Sequence, residues 1–470
     1  MERLEKIGKV KARASSEIKH SRIGLGFEKL DRNVFDPNKA YDKVAACGVK
    51  LARIQSGWQR TEKEKGVYDF AWIDDVVDNL ISRGIEPWMC LCYGNELYTE
   101  AAKTVFGAVG VPPIFSEEEK LAWANYVKAT VRHFEGRVKR FEIWNEPDGN
   151  HGWKHGVNGF EYGQFVIDTA KAIREISGNC EILAGVVYKR PLHFLGDAFS
   201  VGMGEYIDAV SFHEYTADET LVPERVRALK ALAHRFNPNI KIVQGESGSQ
   251  SKSTGNGALK RGQWTERRQA KQLLRHTIAD LFSEVEFTSY FSCMDMIEAL
   301  KGTVGDVASY SDYGYFGILG ADFDENGFST GEYTPKQSYY ALRTICSMFS
   351  EDCRAEDLPV IFNPYDSIRV FGKDLCYSDL TSGGFVKGNG SAAFVYWKPE
   401  NLMTTEYEGT VTLNISHLPD KIRLIDLMTG DVYKIPESMI EKCGVQSYNL
   451  INIPVFDYPL AVTFGDFIEI

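Results

Sequence analysis

Between residues 20 and 349, short apolar runs alternate with longer amphipathic stretches, and this restricts the chain to a parallel sheet covered by helices. The runs fall at 23–27, 50–54, 85–93, 138–144, 181–185, 209–213, 241–246 and 287–292. Between them, Trp72, Ile73, Val76, Val77, Leu80 and Ile81 recur at helical spacing, with Gly84 as their stop. Ser116 and Glu119 form a capping box ahead of Leu121, Val127, Val131 and Phe134, and Gly136 ends that helix. Further helices are predicted over 37–47, 160–176, 223–236, 266–282 and 334–349, with a short element near Phe199 filling the remaining gap. Eight such units in order predict closure into a barrel. An open doubly wound sheet would place a glycine-rich phosphate loop after an early strand, and Gly24-x-Gly26 lacks its third glycine.

After Phe349 the period changes. Val411, Leu413 and Ile415 alternate with Thr412 and Asn414, and the runs 422–427 and 432–435 flank a Thr429-Gly430-Asp431 turn that reads as a hairpin. Further strands are expected at 393–397 and 460–464. The predicted fold class is α/β: a (β/α)8 TIM barrel over 20–349 with a C-terminal β-sandwich over 350–470, joined by a strand from 1–19.

A length of 470 residues accommodates both parts, and 44% apolar with 25% charged residues is ordinary for a globular chain. The net charge of −12 argues against nucleic acid and anionic membrane as partners, since both require a positive field. It suits a soluble enzyme acting on a neutral substrate, does not exclude an acidic one, since local charge can oppose the total, and leaves a homo-oligomer open. Nine cysteines without metal-ligand spacing read as buried, reduced thiols, which points to the cytoplasm. The charged N-terminus has no apolar core of the kind a signal peptide carries, and no run reaches the ~20 apolar residues of a membrane span.

Two of the apolar runs end in a carboxylate. Strand four, Phe141-Glu142-Ile143-Trp144, stops at Asn145-Glu146-Pro147, and strand seven, Ile242-Val243-Gln244, stops at Gly245-Glu246-Ser247-Gly248. Barrel strands present their C-terminal ends to the active-site mouth, so Glu146 and Glu246 should face one another there. Read alone, Asn145-Glu146-Pro147 is equally a turn boundary; the matched glutamate favours chemistry. Two carboxylates ~5–5.5 Å apart suit glycosidic cleavage with retention of configuration. On this reading Glu146 carries a raised pKa, from burial and a neighbouring negative charge, and Glu246 is ionised among donors.

The segments Trp144-Asn145-Glu146-Pro147-Asp148 and Gly245-Glu246-Ser247-Gly248 resemble clan A of the glycoside hydrolases, and family 39 within it, the β-xylosidase and α-L-iduronidase group. The resemblance implies Glu146 as acid/base, Glu246 as nucleophile and Asn145 on the sugar 2-hydroxyl. It also implies a carbohydrate substrate, with His213 as a substrate-binding residue and Tyr215 bonded to the nucleophile, although His213 also fits a core histidine. Arg53, at the end of strand two, would be either a cation beside Glu246 or a structural ion pair. The sequence departs from the clan where Ser247 and Gly248 follow the nucleophile and where Tyr290 and Phe291 replace a strand-eight tryptophan. A stacking platform is therefore sought in Phe291, Trp58, Trp264, Trp88 or Trp153, and a hydroxyl-binding carboxylate in Glu28. No cofactor and no metal are implied. Long connections near 94–120, 247–265 and 293–333 are expected to wall the mouth into a pocket, which favours an exo-acting enzyme. An endo-glycanase, a transglycosylase and a non-catalytic sugar-binding barrel are the alternatives.

Overall fold

The computed structural model describes residues 1, 4–189, 192–283, 285–362 and 379–470. Eight strands close a barrel in sequence order: Ile23–Gly26, Leu51–Gln55, Glu86–Leu91, Arg140–Ile143, Glu181–Val187, Ala209–Glu214, Lys241–Ser247 and Thr288–Tyr290. Every neighbouring pair is parallel, and strand eight closes on strand one through Thr288 opposite Ile23. All eight fall where the apolar runs lie. The runs are nearly continuous because both faces of a parallel sheet are covered.

The helices follow the same logic. Ala71–Ser82 buries Ile73, Val76, Val77 and Leu80 on one stripe. Glu117–His133 begins with the expected capping box: Ser116 Oγ accepts from the Glu119 amide, and the Glu119 carboxylate accepts from the Ser116 amide. The short element near Phe199 is a helix, Leu192–Ser200. The last helix, Gln337–Met348, starts later than the pattern indicates because Ser329–Pro335 belongs to a hairpin with Leu319–Phe323.

The tail is a β-sandwich. A seven-stranded antiparallel sheet faces a four-stranded one, and Tyr396 Oη of the first donates to the Pro454 carbonyl of the second across the core. The expected hairpin forms from Arg423–Asp426 and Asp431–Lys434, with Gly430 at φ 73° in the turn. The N-terminal strand Glu5–Lys9 pairs antiparallel with Asp431–Lys434 at the edge of the larger sheet. Buried contacts fix the sandwich to the helix after strand seven, Glu266–Phe282, and to the short turn Glu219–Leu221. Lys271 reaches Asp457 at 2.6 Å, Arg275 and the Trp397 indole share Glu219 at 2.8 Å each, and Phe282 stacks on Phe385.

Candidate active site

Strand four delivers Glu146 through a strained exit. Trp144 and Glu146 adopt φ of 68° and 50°, and the Glu146 amide donates to the carbonyl of Val186, a β-branched residue at φ 45°. Left-handed conformations at such residues cost energy and persist where the surrounding structure fixes them, commonly at functional sites. The following loop folds back over the strand end: the Gly149 amide donates to the Glu146 carbonyl, and the Trp144 indole donates to the Gly152 carbonyl at 2.7 Å. A Cβ on Gly152 would lie 2.1 Å from the Glu146 carbonyl oxygen, so only glycine fits there.

Glu246 leaves strand seven beside His213 of strand six. The Nδ1 atom of His213 lies 2.9 Å from one Glu146 oxygen and 2.6 Å from a Glu246 oxygen, so one buried imidazole bridges the two carboxylates. His151, from the loop after strand four, bonds the second oxygen of Glu146 through Nε2. One carboxylate oxygen from each of Glu146 and Glu246 and one ring nitrogen of His213 lie within 4.8 Å of one another. A cation could be held at such spacing, but here the three groups satisfy one another.

Behind them Arg53 ties four strand ends together. Its guanidinium reaches Glu28 and Glu142 at 2.8 Å, the Asn145 side-chain oxygen at 2.9 Å and Glu246 at 3.7 Å. Arg53 thus stands in a buried ion-pair network with Glu28 and Glu142 and 3.7 Å from Glu246.

Protonation follows from these contacts. Burial pushes the Glu246 carboxyl up, but the charge and hydrogen bond of His213, followed by Arg53, outweigh it and hold the group below its usual range. His213 is raised to about 10: burial opposes its charge, and the two carboxylates prevail. Glu146 departs from expectation. Burial does act upward on it, but His151 and then His213 hydrogen-bond to the ionised form and draw its pKa well below the ordinary value. The sequence reading of a raised Glu146 did not include the two imidazoles. Burial raises Glu28 to about 8, partly offset by Arg53 and increased by Glu246.

The acids line a cavity of about 170 Å³ shared with Glu28, Lys29, Arg32, Tyr93, Asn145, His151, Tyr188, Tyr215, Phe291, Glu298 and Phe316. Of the expected residues, Glu28, Asn145, Tyr215 and Phe291 reach this cavity, His213 stands behind both acids, and Trp58 and Trp264 do not line it. Trp58 is fully buried, stacked on Tyr98 and Tyr126 with its indole on Glu62. Trp264 is buried with its indole on the Leu259 carbonyl. Trp153 donates to Glu161, and Trp88 packs on Phe287 inside the barrel. The aromatic rings on the cavity wall are the expected Phe291 and Tyr215 together with Tyr93, Tyr188 and Phe316, which sequence periodicity does not distinguish from core residues. Tyr215 stands edge-on to Phe316, and among the described residues no hydrogen bond joins its hydroxyl to Glu246.

Two of the three long loops contribute directly to the wall: 247–265 through Ala258, and 293–333 through Glu298, Leu300 and Phe316. The loop 94–120 buttresses the latter. Phe106 stacks on Tyr310 at 4.1 Å, its amide donates to the Gly302 carbonyl, and Val105 bridges Thr303. Lys29 Nζ holds Glu298 at 3.2 Å. His151, Lys29 and Glu298 were not anticipated; His151 sits five residues past Glu146 in a loop without periodicity.

Residues 27–232 match the sequence profile of glycosyl hydrolases family 39. A β-xylosidase of Geobacillus stearothermophilus is 27% identical over 165 residues, which are 33% of this chain and 32% of that protein. One of Caldicellulosiruptor saccharolyticus is 26% identical over 164 residues, 32% of each. The matched stretch thus spans about a third of these curated relatives. A family 39 glycoside hydrolase from Bacteroides cellulosilyticus WH2 superposes at TM-score 0.66 and 16% identity, covering 94% of this chain and 81% of that one. A monomeric β-xylosidase from Caulobacter crescentus CB15 superposes at 0.62 and 15% identity, covering 97% of each chain. At such identities the superpositions establish the fold, which in both cases extends over the barrel and the sandwich. With that fold, and with residues 27–232 matching the family profile, the chain resembles the glycosyl hydrolases of family 39.

Proposed function

We propose that the protein is a retaining, exo-acting glycosidase that cleaves β-glycosidic bonds, or their α-L equivalents, by double displacement. The observation that carries this reading is the approach of the Glu146 and Glu246 oxygens to within 4.8 Å over one cavity. Retaining enzymes keep the pair ~5–5.5 Å apart, whereas inverting ones need ~6.5–9.5 Å to admit water between them.

In the first step the Glu246 carboxylate forms a bond to the anomeric carbon while the glycosidic C–O bond breaks and the leaving oxygen takes a proton from Glu146. In the second, water attacks that carbon, the ester to Glu246 breaks, and Glu146 accepts the water proton. Arg53 and His213 support the role of Glu246, because a nucleophile must be ionised and both cations favour that form. Asn145, whose oxygen is held by Arg53, offers its amide N–H to the sugar 2-hydroxyl. The small walled cavity supports exo action on short oligosaccharides or glycosides. β-Xylosides are the first substrates to examine, since the curated relatives are β-xylosidases. The predominantly buried free thiols among the described residues support action in a reducing cytoplasm, which cell fractionation would check.

The test is a pair of variants. Glu246→Ala should abolish turnover of every glycoside and lose labelling by a 2-fluoro glycoside at position 246. Glu146→Ala should lose about 10²–10⁴-fold on unactivated glycosides while retaining activity on dinitrophenyl ones. Equal, mild effects from the two would overturn the assignment. Release of internal fragments from a linear hexasaccharide would replace exo action with endo action.

A further inference from the structure

The acid/base reading leaves open where the proton sits before the leaving oxygen takes it, because two imidazoles, His151 and His213, hydrogen-bond the Glu146 oxygens and favour the ionised carboxylate. We propose that His151 is a positioning residue that holds this proton and passes it through Glu146. The inference rests on the reading of Glu146 as acid/base and adds a source for its proton.

The geometry is specific. His151 Nε2 bonds one Glu146 oxygen while His213 Nδ1 bonds the other. His213 is shared with Glu246, and losing its proton would leave two carboxylates facing each other without a charge between them. His151 borders Glu146 alone and can give up its proton without disturbing the nucleophile. Its side chain is 19% exposed, so it can recover a proton from water, whereas His213 is fully enclosed. The ring is held edge-on by Tyr188 at 5.0 Å, and its backbone is fixed by the tight approach of Gly152 to Glu146.

The charged and titratable groups facing His151 are Glu146, Asp148 and Lys154 from its own segment and Tyr188 from the end of strand five, with Lys189 over the Tyr188 ring. Burial and Lys154 disfavour its charge, but Glu146 outweighs both and raises its pKa above the usual 6.5. In the first step the Nε2 proton passes to the Glu146 carboxylate and from it to the leaving oxygen, which leaves His151 neutral and Glu146 ionised. In the second, the proton that Glu146 takes from water returns to Nε2, so protons balance over the cycle.

His151→Gln keeps a hydrogen-bond donor and cannot titrate. The basic limb of its kcat/KM profile should move down by about one pH unit or more, because a carboxyl alone now holds the proton. Its loss should be about ten-fold greater on phenyl than on dinitrophenyl glycosides. Imidazole added to His151→Ala should restore part of the phenyl glycoside rate. His151→Asn serves for the same readings if the glutamine variant folds poorly. A wild-type pH profile in either amide variant would overturn the proposal by reducing His151 to a structural hydrogen bond. Glu146→Ala is run beside them: if it shows no leaving-group dependence, the acid/base assignment itself is wrong, and the proton-holding role falls with it.

Discussion

Four carboxylates, Glu28, Glu142, Glu146 and Glu246, meet three cationic groups, Arg53, His213 and His151, at the cavity floor. The imbalance of one negative charge is relieved where burial is greatest relative to support, at Glu28, whose pKa rises to about 8. An acid raised from 4.5 in the unfolded chain to about 8 in the folded one contributes stability that is complete below 4.5 and lost as pH rises through 8. Glu28→Gln should therefore flatten the decline of the melting temperature between pH 5 and 9, read by scanning calorimetry across that range. An unchanged slope would place the extra proton on another residue. At this scale the sequence was informative only where chemistry coincided with a strand end. Glu146, Glu246, Arg53 and His213 could be found because each terminates an apolar run. His151 and Lys29 could not, since they lie in segments whose course is set by tertiary contacts.

Among the elements, the loop of residues 147–158 has the least freedom. Gly152→Ala would drive a methyl group against the Glu146 and Asn145 carbonyls, 2.1 and 2.6 Å from the new carbon. The expected outcome is a fall in kcat/KM of about 10²-fold from misplacement of Glu146, with a stability loss of about 1–3 kcal/mol in urea titration. Barrel strands and helices were legible from periodicity because each buries a continuous stripe. Strands of the sandwich were less so, for local reasons. Ser447–Phe456 contains Pro454, which argues against a strand, and Thr381–Val386 carries Gly383 and Gly384, which blank out its alternation. Gly383 lies against the Phe282 ring and Gly384 against the Glu356 carbonyl, so close approach explains both. The tryptophans Trp58 and Trp264 failed as platforms because composition cannot tell a buried indole from an exposed one.

For the molecule as a whole, the barrel and sandwich share a polar seam inside an apolar interface. Lys271→Met would leave Asp457 buried without its cation and should cost about 3–5 kcal/mol, measured by denaturant unfolding. Adding Asp457→Leu should recover most of that loss; failure to recover would mean that the pair does more than neutralise itself. The catalytic floor, by contrast, hangs on strand ends of the barrel, while the walls of its cavity are knitted chiefly to each other through Phe106, Tyr310 and the Val105–Thr303 bridge. Selection can therefore reshape the rim by exchanging paired loop residues, with the acids and their cations undisturbed. Descendants of one such ancestor would keep a common floor and diverge in the ligands they admit.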